Sequence, residues 1–268
     1  MELDRIAELL TPFLTTVDRL PRPLRSLQRA AGVSARSSSD VPHSEERSDE
    51  EFLSPAQLQQ ISTYIDLLRR WNRRINLTSV RDAETIVTRH FGESLFAARH
   101  LFPSSAHVGA GVLTSPAELP TGEARASSPV QPPYDVIDVG SGAGFPGLPI
   151  KIWAPHIRAT LIESNHKKAT FLREVIRSLT LTDINVSPSR AEQFPAVGRV
   201  VTLRAVERFA TVLPVAARML APQGRLAVLI GESQVDTARK LTPSITWSEP
   251  LPVPLSSQRI LMTGEMDG

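Results

Sequence analysis

The chain of 268 residues contains no cysteine. Disulfide bonds, thiolate catalysis and cysteine-type zinc sites are therefore excluded. Its six histidines show no i, i+4 spacing, which would place two ligands side by side on a helix. We therefore expect neither a metal site nor metal chemistry.

Long apolar runs are also missing. No uninterrupted apolar stretch reaches the roughly 18 residues that a membrane-spanning helix requires. The first residues, Met1-Glu2-Leu3-Asp4, lack the basic start of a signal peptide. We expect no membrane association and a cytoplasmic location.

Lysine is scarce, because only four of the thirty basic residues are Lys. The formal net charge is +2, whereas the isoelectric point calculated from the sequence is about 9.3. Arginine suits bidentate contacts with phosphate, but a genome-wide compositional bias would produce the same imbalance. The total charge leaves both explanations open, and the distribution of the charges is more informative.

Two segments have a composition that is unlike packed structure. Residues 34–51 are short polar and charged residues with almost no apolar content, which predicts a disordered insert. Residues 104–133 are rich in Pro, Ser and Gly, which predicts a flexible linker. The chain therefore divides into a helical N-terminal region, 1–103, the linker, and a core at 134–268.

The chain between these two segments is predicted to be helical and is rich in arginine. Ser54-Pro55-Ala56-Gln57 predicts a helix start with a capping box, and a second helix is predicted over 82–100. Four arginines gather at the C-terminal end of the first helix: Arg69, Arg70, Arg73 and Arg74. This cluster is either a solvated face with favourable helix-dipole charges or a phosphate-binding face. We predict RNA binding there.

A glycine-rich turn follows the predicted strand 135–139. Its glycines have the spacing G-x-G-x-G at Gly140, Gly142 and Gly144. Such a turn lets the backbone approach a nucleotide-type ligand with no Cβ in the way. A dinucleotide fingerprint would require a third glycine where this chain has Phe145, and this argues against NAD.

An acid, Glu163, follows the second predicted strand and lies nineteen residues after Gly144. In a doubly wound sheet, a carboxylate at this place can accept both hydrogen bonds of a ribose diol. Alternatively, Glu163 is a solvated acid at the start of the helix predicted over 165–179. The glycine turn upstream favours the ribose interpretation.

Strands and helices alternate after residue 133. Strands are predicted at 135–139, 158–162, 184–186, 199–203, 225–230, 244–248 and 258–263, with helices between the first five. This alternation predicts an α/β fold with a largely parallel sheet covered on both sides. The last two strands could form an antiparallel hairpin at one edge. The arrangement is similar to the Rossmann-like, mostly parallel seven-stranded sheet of class I S-adenosylmethionine-dependent methyltransferases, here with a helical N-terminal extension.

Several motifs carry a more specific resemblance. They are Tyr64-Ile-Asp-Leu-Leu-Arg-Arg-Trp-Asn-Arg-Arg-Ile-Asn-Leu-Thr-Ser-Val-Arg-Asp82, Arg89-His-Phe-Gly-Glu-Ser-Leu95, Asp138-Val-Gly-Ser-Gly-Ala-Gly-Phe-Pro-Gly-Leu-Pro-Ile150, Ser189-Arg-Ala-Glu192 and Arg204-Ala205. In these motifs the chain resembles the RsmG family, once called glucose-inhibited division protein B. The resemblance covers residues 52–103 and 134 to about 231.

The resemblance implies a monomeric enzyme that methylates N7 of a guanine in 16S ribosomal RNA, alone or in the small ribosomal subunit, with S-adenosylmethionine as cofactor. Carried over by position, it implies cofactor contacts at Gly140, Phe145, Ala191, Glu192 and Arg204. The full set of expected cofactor-binding residues is Gly140, Gly142, Gly144, Phe145, Glu163, Ala191, Glu192 and Arg204. No catalytic acid or base is expected, since guanine N7 carries no proton and has an available lone pair.

Some of these assignments keep alternatives. Arg204 could meet the methionine carboxylate, organise the guanine pocket, or be an ordinary residue at a helix start, and Glu192 could be a solvated acid. The chain also departs from the family pattern, with Ile230 where the family has lysine and Glu93 where aspartate is frequent. A methyltransferase of another substrate, an NAD oxidoreductase and a noncatalytic RNA-binding relative therefore remain as alternatives.

Overall fold

The computed structural model describes residues 1–15, 53–103 and 134–266. The insert predicted at 34–51 and the linker predicted at 104–133 lie outside the described residues.

The described N-terminal residues form helices. Helix α1 is Leu3–Leu14 and helix α2 is Pro55–Asn72. The predicted capping box is present at the start of α2, where Ser54 Oγ accepts from the Gln57 amide and the Gln57 side chain accepts from the Ser54 amide. These bonds satisfy amides that the first helical turn leaves without partners.

The helix predicted over 82–100 is present but not uniform. It begins as α3, Ala83–Ile86, widens into a π-helical segment, Val87–Gly92, and continues as α4, Glu93–Leu101. π-Helical turns are rare in proteins, and those that do occur are often found at functional sites. This one carries Arg89 and His90.

The residues from 134 form a sheet with helices on both faces. The strands are β1 Tyr134–Val139, β2 Ala159–Ile162, β3 Ile184–Ser187, β4 Gly198–Arg204, β5 Leu220–Gly231, β6 Ile245–Trp247, β7 Leu251–Pro252 and β8 Arg259–Met266. The helices are α5 Gly147–Trp153, α6 His166–Ser178, α7 Phe209–Ala217 and α8 Val235–Leu241. The strand order is β3-β2-β1-β4-β5-β8-β6, with β7 paired to β8.

The predicted, mostly parallel α/β sheet is confirmed, because β1 to β5 pair in parallel. Among the described residues the sheet has eight strands, and not seven. The additional strand, β7, has two residues and ends in a proline, so it has no alternating pattern by which the sequence could reveal it. The predicted antiparallel pairing of the last two strands at one edge is present, because β6 pairs with β8 beyond β5, and the short strand β7 lies between them in the chain.

The apolar residues pack into two clusters, one on each face of the sheet. Adjacent strand residues alternate between them, so that Val136 belongs to the first cluster and Ile137 to the second. The first cluster also contains Ile6, Tyr64 and Phe91 from the N-terminal helices. These helices therefore cover one face of the sheet, and they bring the π-helical segment close to β4.

Gly92 lies where α1 crosses the π-helical segment, and a Cβ there would be 2.5 to 2.7 Å from three ring atoms of buried Phe13. Overpacking costs about 1–3 kcal/mol, against a gain in helix propensity of about 1 kcal/mol. Since the contacts fall on a rigid ring, we predict that Gly92→Ala lowers the free energy of unfolding by about 1–2 kcal/mol, measured by urea denaturation. Gly231→Ala is the matched control, because its Cβ would meet nothing closer than 3.8 Å. Equal stability of the two variants would contradict the prediction.

Candidate functional site

A cleft of about 640 Å³ opens at the carboxyl ends of the central strands. Open α/β sheets bind their ligands at this edge. Its lining residues include Thr78, Arg89, His90, Gly140, Gly142, Phe145, Glu163, Lys168, Arg190, Ala191, Glu192, Arg204, Arg208 and Arg259. Seven of the eight predicted cofactor-binding residues are therefore brought together, and Gly144 is not among the lining residues.

The glycines of the turn have different roles. Gly140, Gly142 and Gly144 all have positive φ, which favours glycine. A Cβ on Gly142 would meet only a carbonyl oxygen at 3.8 Å, so this residue presents open backbone to the cleft. A Cβ on Gly144 would overlap the Tyr64 hydroxyl and the Leu148 side chain. Gly144 therefore permits close packing behind the turn.

Asp138, at the end of β1, holds the turn from below. Its carboxylate accepts hydrogen bonds from Thr202 Oγ1 at 2.8 Å and from the Gly147 amide at 3.3 Å. Burial raises the pKa of Asp138 to about 6, although these hydrogen bonds oppose the shift. The 138–150 motif alone assigns no separate role to Asp138, although an acid inside an apolar strand is itself a signal of a buried polar role.

Glu163 ties the end of β2 to the glycine turn. One carboxylate oxygen accepts from the Gly142 amide at 2.8 Å and the other from the Asn165 amide at 2.7 Å. The residue is only 7% exposed, so Glu163 is not a solvated acid. The cap of α6 is Asn165, whose side chain accepts from two amides of the first turn. Each oxygen of Glu163 keeps a lone pair for a ligand in the cleft.

Ala191 and Glu192 begin the 3-10 helix Ala191–Gln193, which follows β3. Ala191 is half-buried and Glu192 is exposed. Both line the same cleft as Gly142 and Glu163. They form the wall on the β3 side.

Arg204 ends β4 and is paired inside the protein. Its guanidinium donates to Glu93 Oε2 at 2.8 Å, and the side chains are 7% and 4% exposed. It also donates to the Arg89 carbonyl at 2.6 Å and lies 3.2 Å from His90 Nδ1. Burial lowers the pKa of Arg204 while Glu93 opposes this, and the guanidinium remains charged. These contacts favour organisation of the pocket over the other two interpretations of Arg204.

Phe145 joins the glycine turn to the N-terminal helices. Its ring stacks on Tyr64 at 5.4 Å between centroids and on His90 at 4.9 Å, and Phe91 meets its edge at 5.2 Å. The Tyr64 hydroxyl donates to the Ala143 carbonyl. Burial raises the pKa of Tyr64 well above its usual value, so the hydroxyl stays a donor. The glycine turn is thus fixed by Tyr64 from the N-terminal helices as well as by Asp138 from β1.

Thr78 and His90 also line the cleft, and sequence reasoning did not single them out. Asn72 shapes the loop after α2, because its side chain accepts from the amides of Leu77 and Thr78 and donates to the Thr78 carbonyl. Thr78 Oγ1 lies 2.7 Å from His90 Nε2. Burial and, to a smaller extent, the charges of nearby arginines lower the pKa of His90 to about 3. No feature of the sequence identifies this pair other than the two motifs in which these residues stand.

The arginines of the predicted RNA-binding cluster are exposed at the end of α2 and just after it. None of the four lines the cleft. They stand next in sequence to the Leu77–Val80 loop, which does line it. The cleft has further cations that sequence reasoning missed: Arg89, Lys168, Arg190, Arg208 and Arg259.

Within residues 1–15, 53–103 and 134–266, no group of three or more His, Asp or Glu side chains could hold a metal ion. In the same residues, no helix is both long enough and apolar enough to cross a membrane.

Comparison with known proteins gives consistent matches. The family model GidB, described as rRNA small subunit methyltransferase G, matches residues 57–112 and 124–259. The ribosomal RNA small subunit methyltransferase G of Roseiflexus sp. (strain RS-1) is 42% identical over 188 residues, which are 64% of this chain and 67% of the relative. That of Stenotrophomonas maltophilia (strain K279a) is 34% identical over 205 residues, 75% of this chain and 82% of the relative.

A solved structure agrees with the fold. Magnesium protoporphyrin IX methyltransferase from Synechocystis PCC 6803, crystallised with bound S-adenosylmethionine, superimposes with a TM-score of 0.52 at 11% identity, over 77% of this chain and 97% of the other. At this identity the likeness concerns the fold alone. The predicted class I, Rossmann-like methyltransferase fold is confirmed.

The Arg204–Glu93 pair predicts a large effect for a small change. Glu93→Gln keeps the shape but leaves the buried guanidinium without its counter-charge, and removing one partner of a buried pair costs about 3–5 kcal/mol. We predict a loss near the lower value, because the amide oxygen can still accept a hydrogen bond. The loss is measured as the free energy of unfolding in urea.

Glu265→Gln is the matched control, since its partner Arg225 is 3.1 Å away and their side chains are 63% and 41% exposed. This loss should be below about 1 kcal/mol. A loss at Glu93 no larger than the loss at Glu265 would mean that burial of the first pair does not matter.

Proposed function

The chain belongs to the rRNA small subunit methyltransferase G family, and from this membership we propose that it transfers a methyl group to N7 of a guanine in 16S ribosomal RNA. As a member of that family it is an S-adenosylmethionine-dependent rRNA methyltransferase. The observation that carries the proposal is the convergence of the glycine turn, Glu163 and the Arg204–His90 contacts on one cleft.

The cleft residues fit S-adenosylmethionine. The open face of Gly142 admits a ligand against the backbone, and the free lone pairs of Glu163 suit a ribose diol. Ala191 and Glu192 would face the adenine, and Gly140 and Phe145 would border the sulfonium end. Gly144 and Arg204 would act indirectly, by shaping the turn and the pocket.

The chemistry supplied by bound S-adenosylmethionine is an electrophilic methyl group on a positively charged sulfur. Guanine N7 attacks with its own lone pair, so no side chain has to remove a proton. The protein would contribute orientation, which can account for about 7–11 kcal/mol of a barrier. Because His90 is neutral, it does not repel the positive charge that develops on the base during methyl transfer. A base from folded RNA would have to leave its stack to reach the cleft.

We propose that the cations outside and inside the cleft form one RNA-binding surface. Arg69, Arg70, Arg73 and Arg74 would hold the RNA backbone, and Arg89 and Arg259 would continue this surface at the cleft. The partner would be 16S rRNA or the small ribosomal subunit, and an rRNA substrate implies a cytoplasmic location. We further propose that the protein acts as a monomer.

A noncatalytic RNA-binding relative is the second candidate, because Ile230 replaces the family lysine. Ile230 is buried and lines a neighbouring cavity of about 320 Å³. Arg259 lines both this cavity and the main cleft, so one cation remains beside the position. Family membership leaves no support for an NAD oxidoreductase.

Methyl transfer is tested by incubating the full chain with labelled S-adenosylmethionine and small-subunit rRNA, naked or assembled, from cells that lack the modification. We expect the label at N7 of a single guanine. Label elsewhere, or none on either substrate, would overturn the proposal. Binding of S-adenosylmethionine without transfer would identify the noncatalytic relative.

The arginine cluster predicts the salt dependence of RNA binding. Each neutralised phosphate of single-stranded nucleic acid contributes about −0.7 to the slope of log K against log salt. We predict that reversing Arg69, Arg70, Arg73 and Arg74 to Glu weakens binding and flattens the slope by about 3, since four contacts are lost. The measurement is a titration of rRNA at several salt concentrations.

The matched control reverses four exposed arginines at the opposite, amino-end edge of the sheet: Arg177, Arg199, Arg218 and Arg239. It changes the net charge equally and should leave the slope nearly unchanged. If both variants flatten the slope alike, the effect is one of total charge and the cluster is not an RNA contact.

A further inference from the structure

A line of polar contacts runs from the buried ion pair to the wall of the cleft. Arg204 Nη2, which donates to Glu93, lies 3.2 Å from His90 Nδ1, and His90 Nε2 lies 2.7 Å from Thr78 Oγ1. Thr78 and His90 both line the cleft. Methyl transfer to N7 does not by itself require either residue to contact the base.

The position of the imidazole proton follows from these contacts. A guanidinium has only donors, so the nitrogen that faces Arg204 has to present its lone pair. Burial and the charges of Arg204, Arg89 and Arg259 hold the pKa of His90 near 3, so the ring carries a single proton at neutral pH. That proton is on Nε2, and His90 therefore donates to Thr78 Oγ1.

The hydroxyl of Thr78 is left with one direction in which to donate. Its oxygen also accepts from the Val80 amide at 3.1 Å. With His90 and Val80 on its two lone pairs, the oxygen can act only as a donor toward a third group. Among the described residues no acceptor bonds to this hydrogen, and the residue borders the cleft. The protein thus presents a hydroxyl donor of fixed polarity to whatever enters.

The chemistry that such a donor recognises is an acceptor next to the methylated atom. Guanine has two acceptors on this edge, N7 and O6, whereas adenine has N7 and the N6 amino donor. A donor to O6 leaves the lone pair of N7 free for the methyl group. We propose that the Thr78 hydroxyl donates to guanine O6 and so selects guanine over adenine.

His90, Arg204 and Glu93 are positioning residues in this arrangement. The ion pair fixes the charge that faces Nδ1, and the stack of His90 on Phe145 fixes the ring. The inference rests on the proposed function, because it concerns the same base in the same cleft. It adds which group distinguishes that base from others.

The test changes both partners of the hydrogen bond. Thr78→Val removes the hydroxyl at nearly constant shape and Thr78→Ser retains it. Each enzyme is given rRNA in which the mapped guanosine is kept or is replaced, by ligation, with 2-aminopurine, which has N7 but no O6. The measured quantity is the ratio of kcat/KM for guanine to kcat/KM for 2-aminopurine.

We expect this ratio to be about tenfold larger for the wild type and Thr78→Ser than for Thr78→Val, the net value of one hydrogen bond. The intrinsic difference in N7 reactivity between the two bases is common to all the enzymes and cancels. An equal ratio in the wild type and Thr78→Val, with methylation of guanine intact, would overturn the inference alone. Failure of the wild type to methylate guanine N7 would instead overturn the proposed function.

A second measurement needs no substrate and no change at Thr78. The full chain is labelled with 15N-histidine and studied by NMR. The His90 signal is assigned as the one that is lost in His90→Gln. At pH 7 its ring shifts should be those of the Nε2–H tautomer. The Nδ1–H tautomer would overturn the inference even if Thr78→Val does not fold, because Thr78 would then donate to His90 and have no hydrogen for the base.

Discussion

The need of a buried guanidinium for a counter-charge organises this site. Arg204 comes from the end of a central strand and Glu93 from a helix more than a hundred residues earlier in the chain. Because neither charge can be left alone in the interior, the sheet and the N-terminal helices have to meet at one distance. The polarity of His90 and the position of the Arg89 carbonyl follow from that contact.

Phe145 also connects the sheet to the N-terminal helices, through apolar contacts. It belongs to the glycine turn, yet its ring is packed between Tyr64 and His90 from the N-terminal helices. In a dinucleotide site the corresponding place is a glycine that lets a helix approach. Here Gly147 has that role, since a Cβ would overlap Leu161. The departure from the dinucleotide pattern is thus also the contact that couples the two parts of the fold.

Much of this could be predicted from the sequence, for reasons that are local. The capping box at Ser54 and the alternation of strands depend on neighbouring residues, and residues that follow parallel strands meet at one edge, which brought Glu163 to Gly142. The role of Gly144 could not be predicted, because it depends on Tyr64, eighty positions away. The pairing of Thr78 with His90 could not be predicted for the same reason, since which of them donates the hydrogen bond depends on Arg204.

The π-helical segment carries a constraint on chain length. In a regular α-helix the Glu93 amide would donate to the Arg89 carbonyl. Here it donates to the His90 carbonyl, and the Arg89 carbonyl accepts from Arg204. Deleting one residue between α3 and α4 would replace the π-helical segment by regular α-helix, in which each carbonyl accepts from the amide four residues later. The Arg89 carbonyl would then be drawn into the helix hydrogen bonds and away from Arg204, so homologous sequences that keep this contact should conserve the number of residues between α3 and α4.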